Sequence, residues 1–292
     1  MPVDTKRVAV VIPHPNTDLT ASQQFSIQTC LSALGGYPVF YLTKKSAPVE
    51  SLASYLNRIQ IIQVDDERMA DIESYSKFLI SPEFYSLFAQ FEYILVHQLD
   101  VVVFEDRLLE WCDKGYDYVG PPMFQGDEPQ PLLWQAGNGG FSLRKTSAFL
   151  ELLSSRKVFP KFDYYRPLRA ELGVFYLLVL RLMLQFSQTW LAQYFPGLFR
   201  WFFITTSKSI HEDAYFAFFA AFFMENWSMP TAGESADFGF DRCPKTAYAI
   251  NGNKIPFGCH AWEKYDKAFI EELLEKKGLF SSGRTSTEKG IG

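Results

Sequence analysis

Apolar runs and helical stripes alternate along the first third of the chain. Residues 8–12 are uniformly apolar (VAVVI) and stop at Pro13, and a helical pattern over 21–34 stops at Gly35-Gly36. Two β-branched runs follow at 38–43 and 59–64, and residues 74–91 again carry a helical pattern. A buried strand is then expected in EYILVHQLDVVVF (92–104), which holds an acid near its centre. Strands that alternate with helices, and that are apolar throughout, predict a mostly parallel sheet covered on both faces. The expected fold class is therefore α/β, with a mostly parallel central sheet flanked by helices.

Ligands of such sheets bind in the crevice beyond the carboxyl ends of the strands. An ionised carboxylate inside an apolar run costs several kcal/mol unless it is partnered. A strand ending at HQLD resolves that conflict. It carries Asp100 to the crevice, and 101–104 becomes an apolar segment leaving the sheet.

Beyond this point the pattern is more irregular. A short apolar stretch at 118–121 leads into a loop rich in Pro, Gln and acids (121–131), then GNGGFSLRK (137–145) and a helical segment at 146–155. HEDAYFAFFAAFFMENW (211–227) is helical by length and apolar content, PFGCHAW (256–262) reads as a loop, and 269–277 as a short amphipathic helix. The polar tail 281–292 is expected to be disordered. One domain is expected over 1–280, with an aromatic-rich helical insertion at 170–207. The stretch between Arg181 and Arg200 is free of charge and about as long as a membrane span requires, but glutamines interrupt it and Pro196-Gly197 breaks it. Three readings stay open there: a helix lying on a membrane surface through 172–204, a core helix with a packing loop, or a true membrane span.

Composition narrows the partners. The chain has 292 residues, 48% of them hydrophobic, enough for a sizeable core. A net charge of -5 argues against a nucleic-acid partner, which calls for a basic surface. The four cysteines form no CxxC pair, and no cationic, apolar leader opens the sequence. Free thiols and a cytoplasmic location are expected.

Four short runs hold residues that packing explains poorly. Asp100 suits a hard cation such as Mg²⁺ or Mn²⁺, or else pairs with an Arg or caps a helix. Gly137, Gly139 and Gly140 permit close approach of a ligand, or simply a bulge or tight turn. Glu212 and Asp213 are favoured in a first helical turn by the macrodipole, and either could also serve as a general base. His260 is a metal ligand or a hydrogen-bonded structural residue.

Together with LEWCDKGYDYVGPPM (109–123), the runs HQLDVVVF, GNGGFSLRK, HED and FGCHAW resemble the GT-A-fold glycosyltransferases. The resemblance spans roughly residues 5–265 and is densest over 92–145; the segment 170–207 matches none of its motifs. It implies a GT-A-like sheet and transfer of a sugar from a nucleotide donor, UDP-sugars being favoured. The acceptor would be a hydroxyl of a glycan or lipid-linked molecule, and the reaction inverting. Asp100 matches the last Asp of the metal-binding DXD motif, and Gln98 stands where its first Asp is expected. His260 matches the C-terminal His that completes the Mn²⁺ or Mg²⁺ site, Lys77 a donor-contacting cation, and Gly139 and Gly140 the glycines beneath the donor sugar. Asp213 or Glu212 matches the general base. Pro13 and His14 fall where the nucleotide base begins to be held.

Two other functions compete. A nucleotidyltransferase calls for a Gly-rich, basic loop after the first strand, and VIPHPNTDLTAS (11–22) has neither Gly nor Lys/Arg. A non-catalytic sugar-nucleotide or glycan-binding module is favoured only by Gln98.

Overall fold

A computed structural model describes residues 7–154, 211–224 and 226–280. The insertion at 170–207, the membrane contact through 172–204 and the tail at 281–292 lie outside the described residues. Among those described, no helix is long and apolar enough to cross a membrane.

The core is a six-stranded sheet in the order β3-β2-β1-β4-β9-β6. Its parallel strands are β1 (Val8–Pro13), β2 (Val39–Lys44), β3 (Gln60–Val64) and β4 (Tyr93–His97). β9 (Phe141–Lys145) runs antiparallel between β4 and β6 (Tyr118–Val119). The mostly parallel α/β sheet expected from the sequence is present.

Alternation within each strand explains why the runs are apolar throughout. Val8, Val10, Ile12, Tyr93 and Leu95 pack on one face, and Ala9, Val11, Ile94 and Val96 on the other. The first face is covered by α1 (Ala21–Leu34) and α4 (Leu108–Asp113), through residues such as Leu31 and Trp111. The second is covered by α3 (Pro82–Ser86), α5 (Thr146–Ser154) and α6 (Glu212–Phe223), through Phe84, Phe149 and Phe216. Burying each of these side chains is worth roughly 1.5–3 kcal/mol.

Local signals set the helix ends. Thr20 and Gln23 form a reciprocal capping box that opens α1. The helical pattern at 74–91 is not one helix but two, α2 (Ile72–Leu79) and α3. Asp71 caps the first and Ser81 the second, and Pro82 takes the first turn of α3, where its missing N–H costs nothing. The loop expected at 121–131 also proves more ordered: β7 (Pro122–Gln125) pairs with β8 (Leu132–Ala136) as a hairpin.

A second, small sheet decides where the chemistry sits. β5 (Val102–Val103) leaves the main sheet, as the apolar segment after HQLD suggested, and pairs with β11 (Gly258–Cys259), which pairs with β10 (Gly239–Phe240). Behind it pack α8 (Pro244–Ile250) and α9 (Lys267–Lys276), with α7 (Ala232–Phe238) leading into β10. All four cysteines are buried and unpaired, and burial pushes the Cys30 and Cys112 thiols up to about 12.

Candidate active site

A cleft of about 640 Å³ opens at the carboxyl ends of β1, β2 and β4. Pro13 and His14 after β1, Lys44 at the end of β2, and Gln98 and Asp100 after β4 all line it. The loop before α2 adds Met69, Ala70 and Asp71, and Tyr75 contributes from the helix itself. Burial lowers the His14 imidazole below its ordinary value, against a smaller pull from the Asp100 charge.

β4 stops at His97, so the acid is not inside a strand. Gln98 to Asp100 form the turn between two sheets, and the Asp100 side chain is 54% exposed. Its Oδ1 lies 3.2 Å from His260 Nε2. The same nitrogen lies 3.2 Å from Gln98 Oε1, and Gln98 Nε2 donates to the Tyr75 hydroxyl at 3.3 Å. On the other side of the ring, His260 Nδ1 faces Asp241 Oδ1 at 3.1 Å. Burial alone would lower the His260 imidazole, but hydrogen bonds to Asp100 and Asp241 carry it up to about 10. Burial alone would likewise raise Asp100, and the His260 bond holds it below its ordinary value.

Among the described residues, no group of three or more His, Cys, Asp or Glu side chains is arranged to hold a metal ion. The candidate set is two such residues and an amide oxygen: Asp100, His260 and Gln98. Adjacent ligand atoms about 2.1 Å from a six-coordinate hard cation lie about 3 Å apart. The two separations of 3.2 Å are close to that spacing.

The acids at the start of α6 stand beside this group. Glu212 is 6% exposed and reaches Arg144 Nη2 at 3.4 Å, and Arg144 is wholly buried. The guanidinium also donates to the Tyr85 hydroxyl (3.0 Å), Ser142 Oγ (2.9 Å) and the Gly139 carbonyl (3.2 Å). Glu212 is therefore engaged as a counter-charge, which leaves Asp213 as the base candidate. Asp213 Oδ2 accepts from the Gly139 N–H at 3.4 Å and Oδ1 from the Ala214 N–H at 2.6 Å. Burial, then the Glu212 charge, raise the Asp213 carboxyl to about 6.

The two glycines have a specific steric role. A Cβ on Gly139 would lie 2.5 Å from Glu212 Oε1 and 2.9 Å from Asp213 Cβ. A Cβ on Gly140 would lie 2.1 Å from His260 Nε2. Within the protein, what approaches these glycines is its own acids and imidazole.

Of the residues the sequence singled out, Pro13, His14, Gln98 and Asp100 line the cleft, whereas Gly139, Gly140, Glu212, Asp213 and His260 do not and gather beside Gln98 and Asp100. Lys77 does not line the cleft either; it is exposed on α2 and pairs with Glu73 one turn back at 2.7 Å. Tyr75 is the α2 residue that turns inward, and Lys44 is the cation at the cleft. Sequence reasoning missed Lys44, Asp241 and Arg144. A signal existed for Asp241: FGFD (238–241) is a short apolar run ending in an acid, as HQLD is.

Fold and cleft together define an α/β protein with its ligand crevice at the carboxyl ends of parallel strands. The chain belongs to the family described as "Protein of unknown function (DUF5672)", whose family model matches residues 58–260. No curated protein matches it. Among solved structures it is similar to the apo form of the glycosyltransferase GlyE from Streptococcus pneumoniae TIGR4, at 12% identity and a TM-score of 0.49, over 95% of this chain and 61% of that one. It is also similar to a 4-diphosphocytidyl-2C-methyl-D-erythritol synthase from Anaerococcus prevotii DSM 20548, at 10% identity and a TM-score of 0.34, over 52% of this chain and 75% of that one.

Proposed function

We propose that the chain is a metal-dependent glycosyltransferase that moves a sugar from a nucleoside diphosphate, UDP being favoured, to a hydroxyl of a glycan or lipid-linked acceptor. The observation that carries this reading is the Gly139-Gly140 pair, which supports Asp213 and Glu212 on one residue and His260, facing Asp100, on the next. Neighbouring residues are about 3.8 Å apart, so a base and a candidate cation site share one floor. An inverting, metal-dependent nucleotide-sugar transferase uses both, one on the attacking hydroxyl and one on the departing diphosphate.

In this reading Pro13 and His14 begin the nucleotide's binding surface, and Gln98 and Lys44 add polar contacts. Asp100 and His260, with Gln98, would hold Mn²⁺ or Mg²⁺. Such a cation offsets the negative charge that gathers on the departing diphosphate. Asp213 accepts the proton of the acceptor hydroxyl as its oxygen bonds to the anomeric carbon. The bond from that carbon to the diphosphate breaks, its electron pair leaves with the nucleoside diphosphate, and the configuration inverts.

The test is incubation with a panel of nucleotide sugars and Mn²⁺, assaying released nucleoside diphosphate. Release is expected, and loss of it in Asp100→Ala and His260→Ala. Turnover that survives both substitutions sinks the proposed cation site. Gln98, an uncharged side chain beside Asp100, favours a second reading, a sugar-nucleotide-binding module; tight donor binding without turnover would select it.

A further inference from the structure

Three short strand ends meet at His260. β10 pairs with β11 in parallel through Phe240 and Cys259, and β11 pairs with β5 through Cys259 and Val102. Asp241 and His260 are each the next residue after a paired position, and Asp100 lies just before the third strand. The backbone holds this register beyond the strands: the His260 N–H donates to the Phe240 carbonyl at 2.8 Å, and the Trp262 N–H to the Asp100 carbonyl at 3.2 Å.

Asp241 sits on the far side of the ring from Asp100. Like His260 it does not line the cleft, and its side chain is 12% exposed. Both its oxygens are engaged, Oδ1 by His260 Nδ1 at 3.1 Å and Oδ2 by Asn138 Nδ2 at 2.9 Å. Asn138 is fixed at its other end, where Oδ1 accepts the Gly140 N–H at 3.1 Å. The chain of contacts thus runs from the glycine turn under the imidazole, through Asn138 and Asp241, back to the far side of the same imidazole. An imidazole that donates Nδ1–H to a carboxylate has its ring orientation set and presents Nε2 as the ligating atom. Here Nε2 is the atom facing Asp100 and Gln98.

We propose that Asp241, anchored by Asn138, is a positioning residue that aims His260 Nε2 at the cation site. This rests on the metal-dependent reading above, and the experiment separates the two. Mn²⁺ is titrated into the full chain and followed by electron paramagnetic resonance, without any sugar nucleotide. Wild type is expected to bind, Asp100→Asn to lose binding, Asp241→Asn to weaken it by about tenfold or more, and Asp241→Glu to recover part of the loss. If wild type binds no Mn²⁺, the metal reading falls and the positioning role with it. If wild type binds and folded Asp241→Asn binds within about twofold of it, only the positioning role falls.

A second readout needs neither metal nor turnover. The chain has four histidines, so nitrogen-15 labelling of their rings can follow His260 individually. An exchange-protected Nδ1–H is expected in wild type and is expected to vanish in Asp241→Asn while the other three rings stay unchanged. Protection that persists in the variant overturns the proposal. Should Asp241→Asn not fold, Asn138→Ala keeps the carboxylate and removes its anchor; unchanged Mn²⁺ affinity and unchanged protection there also overturn it.

Discussion

The imidazole of His260 occupies the space that a side chain on residue 140 would fill, with Nε2 2.1 Å from the position of a Cβ. No rotation of a methyl group relieves such a contact, and His260 is held by Asp241 behind it. Gly140→Ala is therefore expected to displace His260 while leaving the sheet intact. Overpacking of this kind costs about 1–3 kcal/mol. Urea denaturation should show that loss, and Mn²⁺ affinity should fall at least as far as in Asp241→Asn. Wild-type Mn²⁺ binding in Gly140→Ala would contradict the steric role.

Much of this arrangement was visible as residue type before it was visible as geometry. HQLD and HED stood out because acids interrupt or open apolar segments, and apolar strands announce themselves through burial on both faces. Asp241 escaped because β10 is only two residues long, too short for any periodicity to register. The partnership of Gly140 with His260 joins residues far apart in sequence, and a glycine alone does not say what approaches it. Lys77 was misplaced for a different reason: one helical residue more or less changes the face by about 100°. The break between α2 and α3 was missed as well, although Ser81-Pro82 carries a cap and an N-terminal proline that mark a helix start.

The Arg144–Glu212 pair is buried among Tyr118, Phe149 and Phe216, whose rings lie 5.4–5.8 Å from the guanidinium carbon. Arg144→Met leaves Glu212 without its counter-charge in a buried place, which costs about 3–5 kcal/mol. Adding Glu212→Gln removes the stranded charge and is expected to recover most of that loss. A double-mutant cycle in urea measures the coupling. Additive single effects would show that the two side chains do not act as a pair.

On the proposed reading, Asp213 sets the pH dependence of the reaction. Its carboxyl is raised to about 6, first by burial and then by the Glu212 charge. As a base it works only when ionised, so kcat/KM is expected to rise with pH through about 6 and level off above. Glu212→Gln removes one of the raising charges and should move that acid limb to lower pH. The stability effect has the opposite sense. The folded chain holds this proton more tightly than the unfolded chain, so the group's contribution is full below about pH 4 and is lost as pH rises through about 6. Asp213→Asn should accordingly stabilise the chain at pH 8 more than at pH 4, as read from urea midpoints. An acid limb unmoved by Glu212→Gln, or a midpoint difference independent of pH, would remove Asp213 from this role.

Two lysines separate the cleft from its surroundings. Lys44 ends β2 at the cleft, and Lys77 points away and meets Glu73. An exposed pair one helical turn apart is worth only about 0.3–0.5 kcal/mol, so Lys77→Ala should change stability by little and leave ligand binding within about twofold. Lys44 has a different consequence because a phosphate bound in the cleft, as the proposed function requires, would feel its charge at short range. Lys44→Ala is expected to weaken nucleoside diphosphate binding by about tenfold, with the difference shrinking as salt is added. Calorimetric titration of both variants at low and high ionic strength decides it. Equal losses from the two lysines, or a larger one from Lys77, would mean that the donor lies over α2 and not at the end of β2.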